Sequence, residues 1–563
     1  MTRMVNSPAD FVKEALEGFA SAQTRAVAVT GAGMARATRC PAGQVAVISG
    51  GGSGHFPAFA GWVGPGFLHG AVCGNIFSSP SEAQILAVSR AADNGGGILF
   101  APINYQGDIL HFGAAAEVLR SEGIDVRMRA VTDDIVSGTS EQHLQRRGIA
   151  GAFIVHKIAG AAAEEGLSLD EVERVFVKAN AATRSFGVAF GACTLPGADD
   201  PLFVVPEGRM AVGLGIHGEP GIDEVDVTTA DSATDILMDG LFAERAPAAG
   251  QRVAVLVNGL GGTKYDELAV VYRRVAQRLV AVGMTPVTPV VGELVTSLDM
   301  EGFSVTLTYL DDELERLWLA PADIVSFSRG QVAPGELRTA PVAGLGESVG
   351  EIPPASEASQ ALAQALAGIA GKVAAAMAAA EKLLGDIDAV AGDGDHGVGM
   401  NKGAGAAAVA AQTAAEKGAG LGTTLSAAGH AWSDIAGGTS GALWGAGLVA
   451  AGQSLGDEQD LSAAALAAAA TAYRDTVLER GGASVGEKTM VDALVPFVDT
   501  LLAELAAGDV SGAWKAAAAA ANAAAEQTAE YGATRGRAKL HGDRSVGTPD
   551  PGAKSFAMVV GAV

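Results

Sequence analysis

Cysteine is scarce in this chain, and its few occurrences are widely separated. The 563 residues contain three cysteines, Cys40, Cys73 and Cys193, and none of them forms a CxxC pair. This spacing excludes a disulfide framework and is typical of a reducing compartment. Aromatic residues make up only 5% of a composition that is 49% hydrophobic and contains 76 glycines. The apolar fraction therefore consists mainly of small side chains, as in a folded, soluble protein.

Basic residues are outnumbered by acidic ones. There are 38 Lys and Arg against 63 Asp and Glu, which gives a formal charge of −25 and a pI near 4.7. Such a surface argues against nucleic acid or an anionic membrane as a partner. An anionic nucleotide can still bind through a cation or through local backbone amides.

The N-terminus lacks the apolar run of a signal peptide, because MTRMVNSPADFVKEALEGF carries charges every few residues. Residues 435–455 are uncharged for long enough to span a bilayer. Gly, Ser, Thr and Gln interrupt them, and similar small-residue helices flank them, so they predict a buried helix. We therefore expect a cytoplasmic protein without a membrane segment.

The chain is too long for one hydrophobic core, and its pattern changes near residue 341. Residues 1–340 alternate β-branched runs with helical segments, which predicts an α/β domain with lobes of about 1–197 and 198–340. AFIVHKIAGAA, from residue 152, is interpreted as one of several strand or strand-to-helix segments. Residues 341–358 are rich in Pro, Gly, Ser and Glu and predict a linker. Residues 359–563 consist of alanine-rich helical stretches and predict an all-α domain.

Three ionisable residues follow predicted strands in the α/β half. His55 ends the loop GGGSGH, Asp108 follows INYQG, and His217 lies within GLGIHGEPG. Ligands in open sheets bind where strands end. A single His beside glycine is more often a turn residue, but three such loops that converge would supply a carbonyl binder or nucleophile, a base and a hydrogen-bond partner.

The helical half contains an acidic loop, DAVAGDGDHG, at residues 388–397. Asp388, Asp393 and Asp395 place three carboxylates within eight residues, among glycines. Carboxylates this close repel one another unless a cation neutralises them, and hard oxygen ligands suit Mg²⁺. The alternative is an acidic surface turn, for which Asp and Gly are the usual residues.

No GxxxxGK[ST] motif occurs, which excludes a P-loop NTPase. Other segments supply the parts of a nucleotide site. GGTSG at 437–441 offers backbone N–H groups and two hydroxyls at a predicted helix start, or is a simple interhelical turn. GEKTMVDAL at 486–494 adds Thr489, or is a capped helix N-terminus. The C-terminal GRAKLHGDRSVGTPDPGA adds Arg537, Arg544 and Asp550. Together with the acidic loop they indicate phosphoryl transfer.

These motifs, in this order, resemble the dihydroxyacetone kinase family, in its single-chain, ATP-dependent form with a K domain followed by an L domain. The resemblance covers nearly the whole chain and rests on the three strand-end loops, on the acidic loop and on five other segments. The segments are RRGIAGAFIVHKIAGAAAE at 146–164, VNGLGGTK at 257–264, GGTSGALWG at 437–445, GEKTMVDAL at 486–494 and GDRSVGTPDPGA at 542–553. The implied fold is a two-lobed α/β K domain followed by an L domain that is a barrel of about eight antiparallel helices.

The resemblance implies that His217 adds to the ketone of the substrate as a hemiaminal, that Asp108 accepts the proton of the attacking hydroxyl, and that His55 hydrogen-bonds the ketose. The implied substrate-binding residues are Gly52, Ser53, Gly54, His55, Phe56, Phe59, Asn104, Asp108 and His217. Asp388, Asp393 and Asp395 would hold two Mg²⁺ ions on ATP. The implied nucleotide-binding residues are His396, Asn401, Gly437, Gly438, Thr439, Ser440, Gly441, Thr489, Met490, Arg537, Asp550 and Gly552. The resemblance also implies a homodimer with the L domain of one subunit over the K domain of its partner.

The chain departs from the family around the substrate loop. It has Phe56 and Phe59 where Glu-Pro-Ala-His is usual, Ile103 where Lys often precedes Asn-Tyr, and His111 where Asn is usual. The Pro-Ala-Phe form resembles the branch that phosphorylates erythrulose, which we expect slightly ahead of dihydroxyacetone. The alternative is that Phe56 and Phe59 only pack beneath the loop and leave substrate choice unchanged.

Several other functions remain open at this point. The chain is either a kinase or a non-catalytic regulatory relative on the same scaffold. The presence of His217, of Asp108 and of the three aspartates of the acidic loop favours the enzyme. A phosphoprotein donor is disfavoured because K and L are fused without a third domain. A fatty-acid kinase resembles only the L half.

Overall fold

The computed structural model divides the chain into two compact units, Met1–Gly346 and Glu347–Val563. It describes residues 4–29, 31–227, 229–330, 352–390, 392–458, 461–506, 509–535, 539 and 545–563. Most of the predicted linker, including residues 341–351, lies outside the described residues. The predicted linker bounds therefore stay a prediction.

The first unit contains a mixed sheet with the order β1-β2-β4-β3-β5-β6. Its strands are β1 (Ala26–Val29), β2 (Gly33–Arg36), β3 (Ala46–Ser53), β4 (Gly70–Ile76), β5 (Ile98–Phe100) and β6 (Val126–Met128). β3 pairs in parallel with both β4 and β5, so it lies in the middle of the sheet. Consecutive side chains of β3 enter different cores: Val47 joins one cluster and Ile48 the other. This alternation is the reason that helices cover both faces.

A second sheet in the same unit has the order β11-β10-β13-β7-β8-β9, with β12 also paired to β10. Its strands are β7 (Thr183–Ala189), β8 (Arg209–Val212), β9 (Asp223–Asp226), β10 (Arg252–Gly259), β11 (Thr285–Pro286), β12 (Val290–Gly292) and β13 (Gly302–Leu310). A hairpin of β14 (Ala322–Ile324) and β15 (Phe327–Arg329) follows. Because β7 pairs with β13 and β8, the second sheet begins at Thr183, earlier than the lobe boundary predicted at residues 197 and 198.

Helices fill three layers around the two sheets. They are α1 (Phe11–Ala22), α2 (Glu82–Ala92), α3 (Gln106–Ser121), α4 (Ala152–Glu164), α5 (Leu169–Ala182), α6 (Ala230–Glu244), α7 (Tyr265–Ala281) and α8 (Asp312–Leu319). The α4 segment, which we interpreted as strand or strand-to-helix, is helix throughout, and all its residues except Glu164 are buried. That interpretation was wrong because a helix buried on every side has a continuous apolar run, as a buried strand does.

The second unit is a closed ring of helices. The described helices are α9 (Glu357–Asp388), α10 (His396–Glu416), α11 (Leu421–Ala436), α12 (Gly438–Leu455), α13 (Ala463–Gly481), α14 (Val491–Leu505), α15 (Val510–Gln527) and α16 (Pro551–Gly561). Each helix packs on the next, and α16 returns to α9. This closure confirms the predicted α/β half followed by a helical barrel. Residues 438–455 of the uncharged stretch form α12, packed between α11 and α13, and residues 435 and 436 end α11.

Among the described helices, α9 alone is long and apolar enough to cross a membrane by length and composition. Its apolar residues are mostly alanines, and core helices of water-soluble proteins meet the same criterion. Here α9 packs against α10, α11 and α16, and 22% of its apolar window is buried.

Candidate active site

Two histidines from different sheets meet in the first unit. The Nε2 atoms of His55 and His217 lie 3.0 Å apart, and their rings cross at 83°. His55 follows β3 of the first sheet, and His217 follows β8 of the second. Two of the three predicted strand-end loops therefore converge.

Glycines allow the His55 loop to lie against its neighbours. A Cβ on Gly52 would come within 2.6 Å of the backbone at Ser78, and Gly54 has φ +101°, where a Cβ would lie 2.8 Å from the Phe77 ring. The hydroxyl of Ser53 donates to the carbonyl of Gly74 at 2.7 Å, which fixes the end of β3. Side chains at the two glycines would push the loop out of position.

The protonation of His55 follows from its partners. Its Nδ1 lies 2.7 Å from the carbonyl oxygen of Thr296, which can only accept, so Nδ1 carries a proton. Burial, followed by the nearby His217, lowers the pKa of His55 to about 3. At neutral pH the ring is therefore uncharged, and its Nε2 accepts a hydrogen bond from Nε2 of His217.

Glu219 holds the opposite side of the His217 ring. Its Oε1 lies 3.2 Å from Nδ1 of His217, and its Oε2 accepts from the backbone N–H of His217 at 3.0 Å. Burial acts to raise the pKa of Glu219, but His217 and Arg147 together bring it below its usual range. A carboxylate therefore faces Nδ1 and keeps a proton on that atom.

Aromatic rings surround the two imidazoles. Phe77 stacks on His55 with 5.0 Å between centroids and meets His217 edge-on at 5.2 Å. Tyr105 meets His217 edge-on at 4.6 Å. Tyr105 is the N-cap of α3, and Asp108 lies in the first turn of that helix, where it is only 4% exposed. The third predicted loop therefore also reaches His217, through Tyr105.

Three other predicted substrate-binding residues, and the two other departures from the family pattern, have different environments. Phe56 is 52% exposed and contacts Phe19 of α1, whereas Phe59 is 3% exposed and packs between Gly51 and Trp62. Asn104 donates its amide to the carbonyl of Arg146 at 2.7 Å. Ile103 and His111 are buried. Phe59, Ile103 and His111 thus belong to the packed interior around the loop.

Sequence reasoning missed Phe77, Glu219 and Thr296. Glu219 carried a signal, since it lies in the same GLGIHGEPG motif as His217. Phe77 and Thr296 carried none, because each reaches the site only through the sheet pairing that brings β4 and the segment after β12 next to the His55 loop.

The acidic loop of the second unit forms a carboxylate cluster. One ligand oxygen from each of Asp388, Asp393 and Asp395 lies within 4.8 Å of the others. Asp388 ends α9, and Asp395 is the N-cap of α10. The close approach depends on Gly392, where a Cβ would lie 2.2 Å from Oδ1 of Asp388. Several hard oxygen donors at this separation fit Mg²⁺.

Two more predicted nucleotide residues lie beside this cluster. The backbone N–H of His396 donates to Oδ2 of Asp388 at 3.2 Å, and its Nε2 contacts the hydroxyl of Ser555 at 2.9 Å. Burial lowers the pKa of His396, against the effect of Asp388. Asn401 donates to Glu381 of α9. The start of α10 is thus tied to α9 and α16.

The GGTSG segment begins a helix, as predicted. Gly437 and Gly438 have φ of +62° and +61°, and α12 starts at Gly438. Thr439, Ser440 and Gly441 form the first turn, with Ser440 exposed. Backbone N–H groups at such a start favour phosphate.

The remaining predicted nucleotide residues that the structure describes lie near Asp492. Oδ2 of Asp492 accepts from the backbone N–H of Thr489 at 2.7 Å. Met490 is buried and lies against Gly552, where a Cβ would be 3.4 Å away. Asp550 caps α16 through Ala553 N–H at 2.6 Å, and burial raises its pKa to about 7. Arg537 and Arg544 lie outside the described residues.

Comparisons with known proteins agree with this arrangement. Residues 17–326 match the Dak1 domain and residues 390–563 match the DAK2 domain. The chain is 52% identical to the L-erythrulose 1-kinase of Mycolicibacterium smegmatis, over 100% of this chain and 99% of that one. It is 50% identical to the D-erythrulose kinase of the same organism, over 99% and 97%.

A solved structure extends the comparison to three dimensions. The crystal structure of the dihydroxyacetone kinase from C. freundii in complex with AMP-PNP and Mg²⁺ matches with a TM-score of 0.53 and 33% identity. The match covers 100% of this chain and 99% of that one. The chain belongs to the dihydroxyacetone kinase family, and it is a phosphotransferase that carries the Dak1 and DAK2 domains in one polypeptide.

Proposed function

We propose that the protein uses ATP to phosphorylate a terminal hydroxyl of a short-chain ketose, with erythrulose ahead of dihydroxyacetone. The observation that carries this proposal is the position of His217, held between the carboxylate of Glu219 on Nδ1 and the ring of His55 on Nε2. An imidazole held in this way can present Nε2 to a carbonyl carbon while Nδ1 keeps its proton.

The proton count supports addition to a ketone. The three contacts, His55 Nδ1 to Thr296, Nε2 to Nε2, and His217 Nδ1 to Glu219, require three protons on the two rings. When Nε2 of His217 bonds to the carbonyl carbon, the C=O π bond breaks and the oxygen takes the proton that lay between the rings. The product is a neutral hydroxyl and an Nε2-substituted imidazolium whose Nδ1–H remains on Glu219, so charge is conserved.

Asp108 is the proposed general base for the attacking hydroxyl. It is almost fully buried in the first turn of α3, next to the Tyr105 that contacts His217. A buried carboxylate within reach of a hydroxyl can accept its proton during phosphoryl transfer. In this proposal His55 hydrogen-bonds the ketose, and residues 52–54, Phe56, Phe59 and Asn104 shape its pocket.

Asp388, Asp393 and Asp395 are the proposed ligands of two Mg²⁺ ions, which would supply charge neutralisation for the triphosphate. The start of α12 is the proposed phosphate cradle. The other proposed nucleotide contacts are His396, Asn401, Thr489, Met490, Arg537, Asp550 and Gly552. Support comes from the carboxylate cluster and from the relative that binds AMP-PNP and Mg²⁺.

Erythrulose is favoured because two relatives at 52% and 50% identity are an L-erythrulose 1-kinase and a D-erythrulose kinase. Two similar identities leave both enantiomers as candidates. Dihydroxyacetone is the second candidate, favoured by the C. freundii enzyme at 33% identity. A purely regulatory role has less support, because it would require neither the His217 arrangement nor the acidic loop.

The test is ketose-dependent ADP release with Mg²⁺ and ATP, for L-erythrulose, D-erythrulose and dihydroxyacetone. We expect turnover with at least one erythrulose enantiomer and a higher kcat/KM than for dihydroxyacetone. ADP release that is the same with and without every ketose would contradict the proposal.

We further propose a cytoplasmic homodimer, in which the L domain of one subunit serves the K domain of its partner. The family resemblance supports this assembly, and no nucleic acid or membrane partner is part of it. Light scattering coupled to size exclusion should give twice the 56.3 kDa mass of the chain.

A further inference from the structure

The second arginine of the RRGIAG motif lies behind the His217 loop, where the proposed chemistry gives it no role. Arg147 is mostly buried and forms a close ion pair with Asp134, whose Oδ2 lies 2.8 Å from Nη2 and 2.9 Å from Nε. Its other amino group, Nη1, lies 3.8 Å from Oε2 of Glu219. Charges of alternating sign therefore extend from Asp134 through Arg147 and Glu219 to His217.

The approach of Arg147 to Glu219 is built into the loop. A Cβ on Gly215 would lie 2.0 Å from Oε2 of Glu219 and 2.6 Å from Nη1 of Arg147. Only a glycine allows the two groups to meet at this position. Nη1 is buried and makes no hydrogen bond with any residue that the structure describes. It therefore acts on Glu219 through its charge and not through a directed bond.

Glu219 alone has two opposing effects on His217. It keeps a proton on Nδ1, which the addition reaction needs. Its negative charge also stabilises the imidazolium, in which the Nε2 lone pair is occupied by a proton. A positive charge close to Glu219 reduces the second effect and leaves the Nδ1 hydrogen bond in place.

We propose that Arg147, with Asp134 behind it, is a positioning residue that tunes how readily Nε2 of His217 gives up its proton to an incoming ketone. The positive charge of Arg147 reduces the stabilisation of the His217 imidazolium by Glu219. The negative charge of Asp134 partly offsets this effect of Arg147. This inference rests on the proposed addition of the ketose to His217. It adds Asp134 and Arg147, which no motif match assigned to the site.

The groups that surround His217 come from several elements. His55 faces Nε2 and Glu219 faces Nδ1, while Tyr105 contributes the phenol of an edge-on ring. Burial acts to lower the pKa of Arg147, but Asp134, Glu219 and Tyr105 together raise it, so Arg147 stays charged. Asp134 is fixed in turn by the backbone N–H of Val136 at 3.2 Å.

The test is a pH titration of His217 in the full-length protein without ketose, by ¹⁵N NMR of histidine-labelled samples. His217→Asn assigns its signals among the nine histidines. Arg147→Met should raise the pKa of His217 by about one unit, and Asp134→Asn should lower it. Arg147→Lys keeps the charge and should restore most of the wild-type value. In assays, Arg147→Met should raise the ketose KM at neutral pH about tenfold and move the optimum to higher pH.

Arg146 provides the matched control. Its guanidinium is also buried, more fully than that of Arg147, but pairs with Glu244 at 2.7 and 2.9 Å. Arg146→Met should leave the His217 titration unchanged, even if it lowers the free energy of unfolding. The inference is overturned if Arg147→Met and Asp134→Asn shift His217 in the same direction, or if folded Arg147→Met leaves it unshifted. If Arg147→Met does not fold, the other two variants still test the inference. Asp134→Asn should lower the pKa of His217, and Arg147→Lys should leave it near the wild-type value. Absence of ketose-dependent turnover in wild type would instead refute the proposed function.

Discussion

His55 and His217, 162 positions apart in the chain, share a hydrogen bond of 3.0 Å between their Nε2 atoms. Each belongs to a loop at the end of a strand in a different sheet. The contact therefore exists only when the two lobes of the first unit pack on the layer formed by α4, α5 and α8. The proposed chemistry depends on this packing as much as on the two rings.

Replacement of the proposed nucleophile should remove ketose capture. His217→Asn keeps a polar side chain of similar size but cannot form the adduct. We expect kcat/KM for erythrulose to fall at least about a thousandfold. His143→Asn, in a short 3-10 helix of the same unit where the side chain is partly exposed, is the control and should keep wild-type kinetics. Wild-type kinetics in His217→Asn would contradict the assignment.

The acidic loop should be needed for turnover and for Mg²⁺. Asp393→Asn removes one of three clustered carboxylates, so Mg²⁺-dependent nucleotide binding, measured by calorimetry, should be lost along with activity. Asp386→Asn changes a nearby carboxylate that pairs with Lys382 on the exposed surface of α9. It should keep at least half of the activity. An unchanged kcat in Asp393→Asn would remove this loop from the mechanism.

Mixing two inactive variants should test the proposed dimer. His217→Asn lacks a working K domain and Asp393→Asn lacks a working L domain. If each active site uses domains from two subunits, one site in each mixed dimer is intact. Random exchange should then restore about a quarter of wild-type activity. Mixtures that stay inactive after subunit exchange would show that K and L act within one chain.

The two phenylalanines of the substrate loop should behave differently. Phe56 is half exposed, so Phe56→Ala should change the ratio of kcat/KM for erythrulose and dihydroxyacetone by about tenfold at most, with little effect on stability. Phe59 is buried against Trp62, so Phe59→Ala should cost about 3 kcal/mol or more of unfolding free energy in urea titrations. Equal stability of the two variants would contradict this division.

A buried lysine makes the stability of the first unit depend on pH. Lys157 of α4 donates to the carbonyl of Leu317, and burial, followed by Arg329, lowers its pKa to about 7. The unfolded chain keeps that proton up to pH values near 10.5, so the folded state binds fewer protons between these values. Stability therefore rises from pH 7 toward 10.5. In urea titrations, the free energy of unfolding of wild type should therefore rise relative to that of Lys157→Met between pH 7 and pH 9.5. A constant difference would contradict it.

The sequence predicted the broad architecture because the two halves differ in pattern. Alternating β-branched runs indicated an α/β half, and alanine-rich stretches indicated helices. It failed for α4, since periodicity cannot separate a fully buried helix from a buried strand. It also assigned β7 to the wrong side of the lobe boundary, because sheet membership depends on long-range pairing with β13.

The candidate site was predictable where chemistry lies within short motifs. His55, His217 and the three aspartates carried such signals. Thr296 and Phe77 did not, because each reaches the site through a long-range contact or a neighbouring strand. Arg147 lies within the RRGIAG segment, but its contact with Glu219 exists only in the folded chain. Arg537 and Arg544 remain predictions.

Ring closure by α16 has a consequence for biosynthesis. Ser555 of this helix contacts His396, beside the acidic loop, and α16 packs between α15 and α9. While α16 is still inside the ribosome, α15 and α9 lack the helix that packs on both of them, and the ring of helices cannot close. The proposed nucleotide site should thus form only once α16 has emerged, after the first unit.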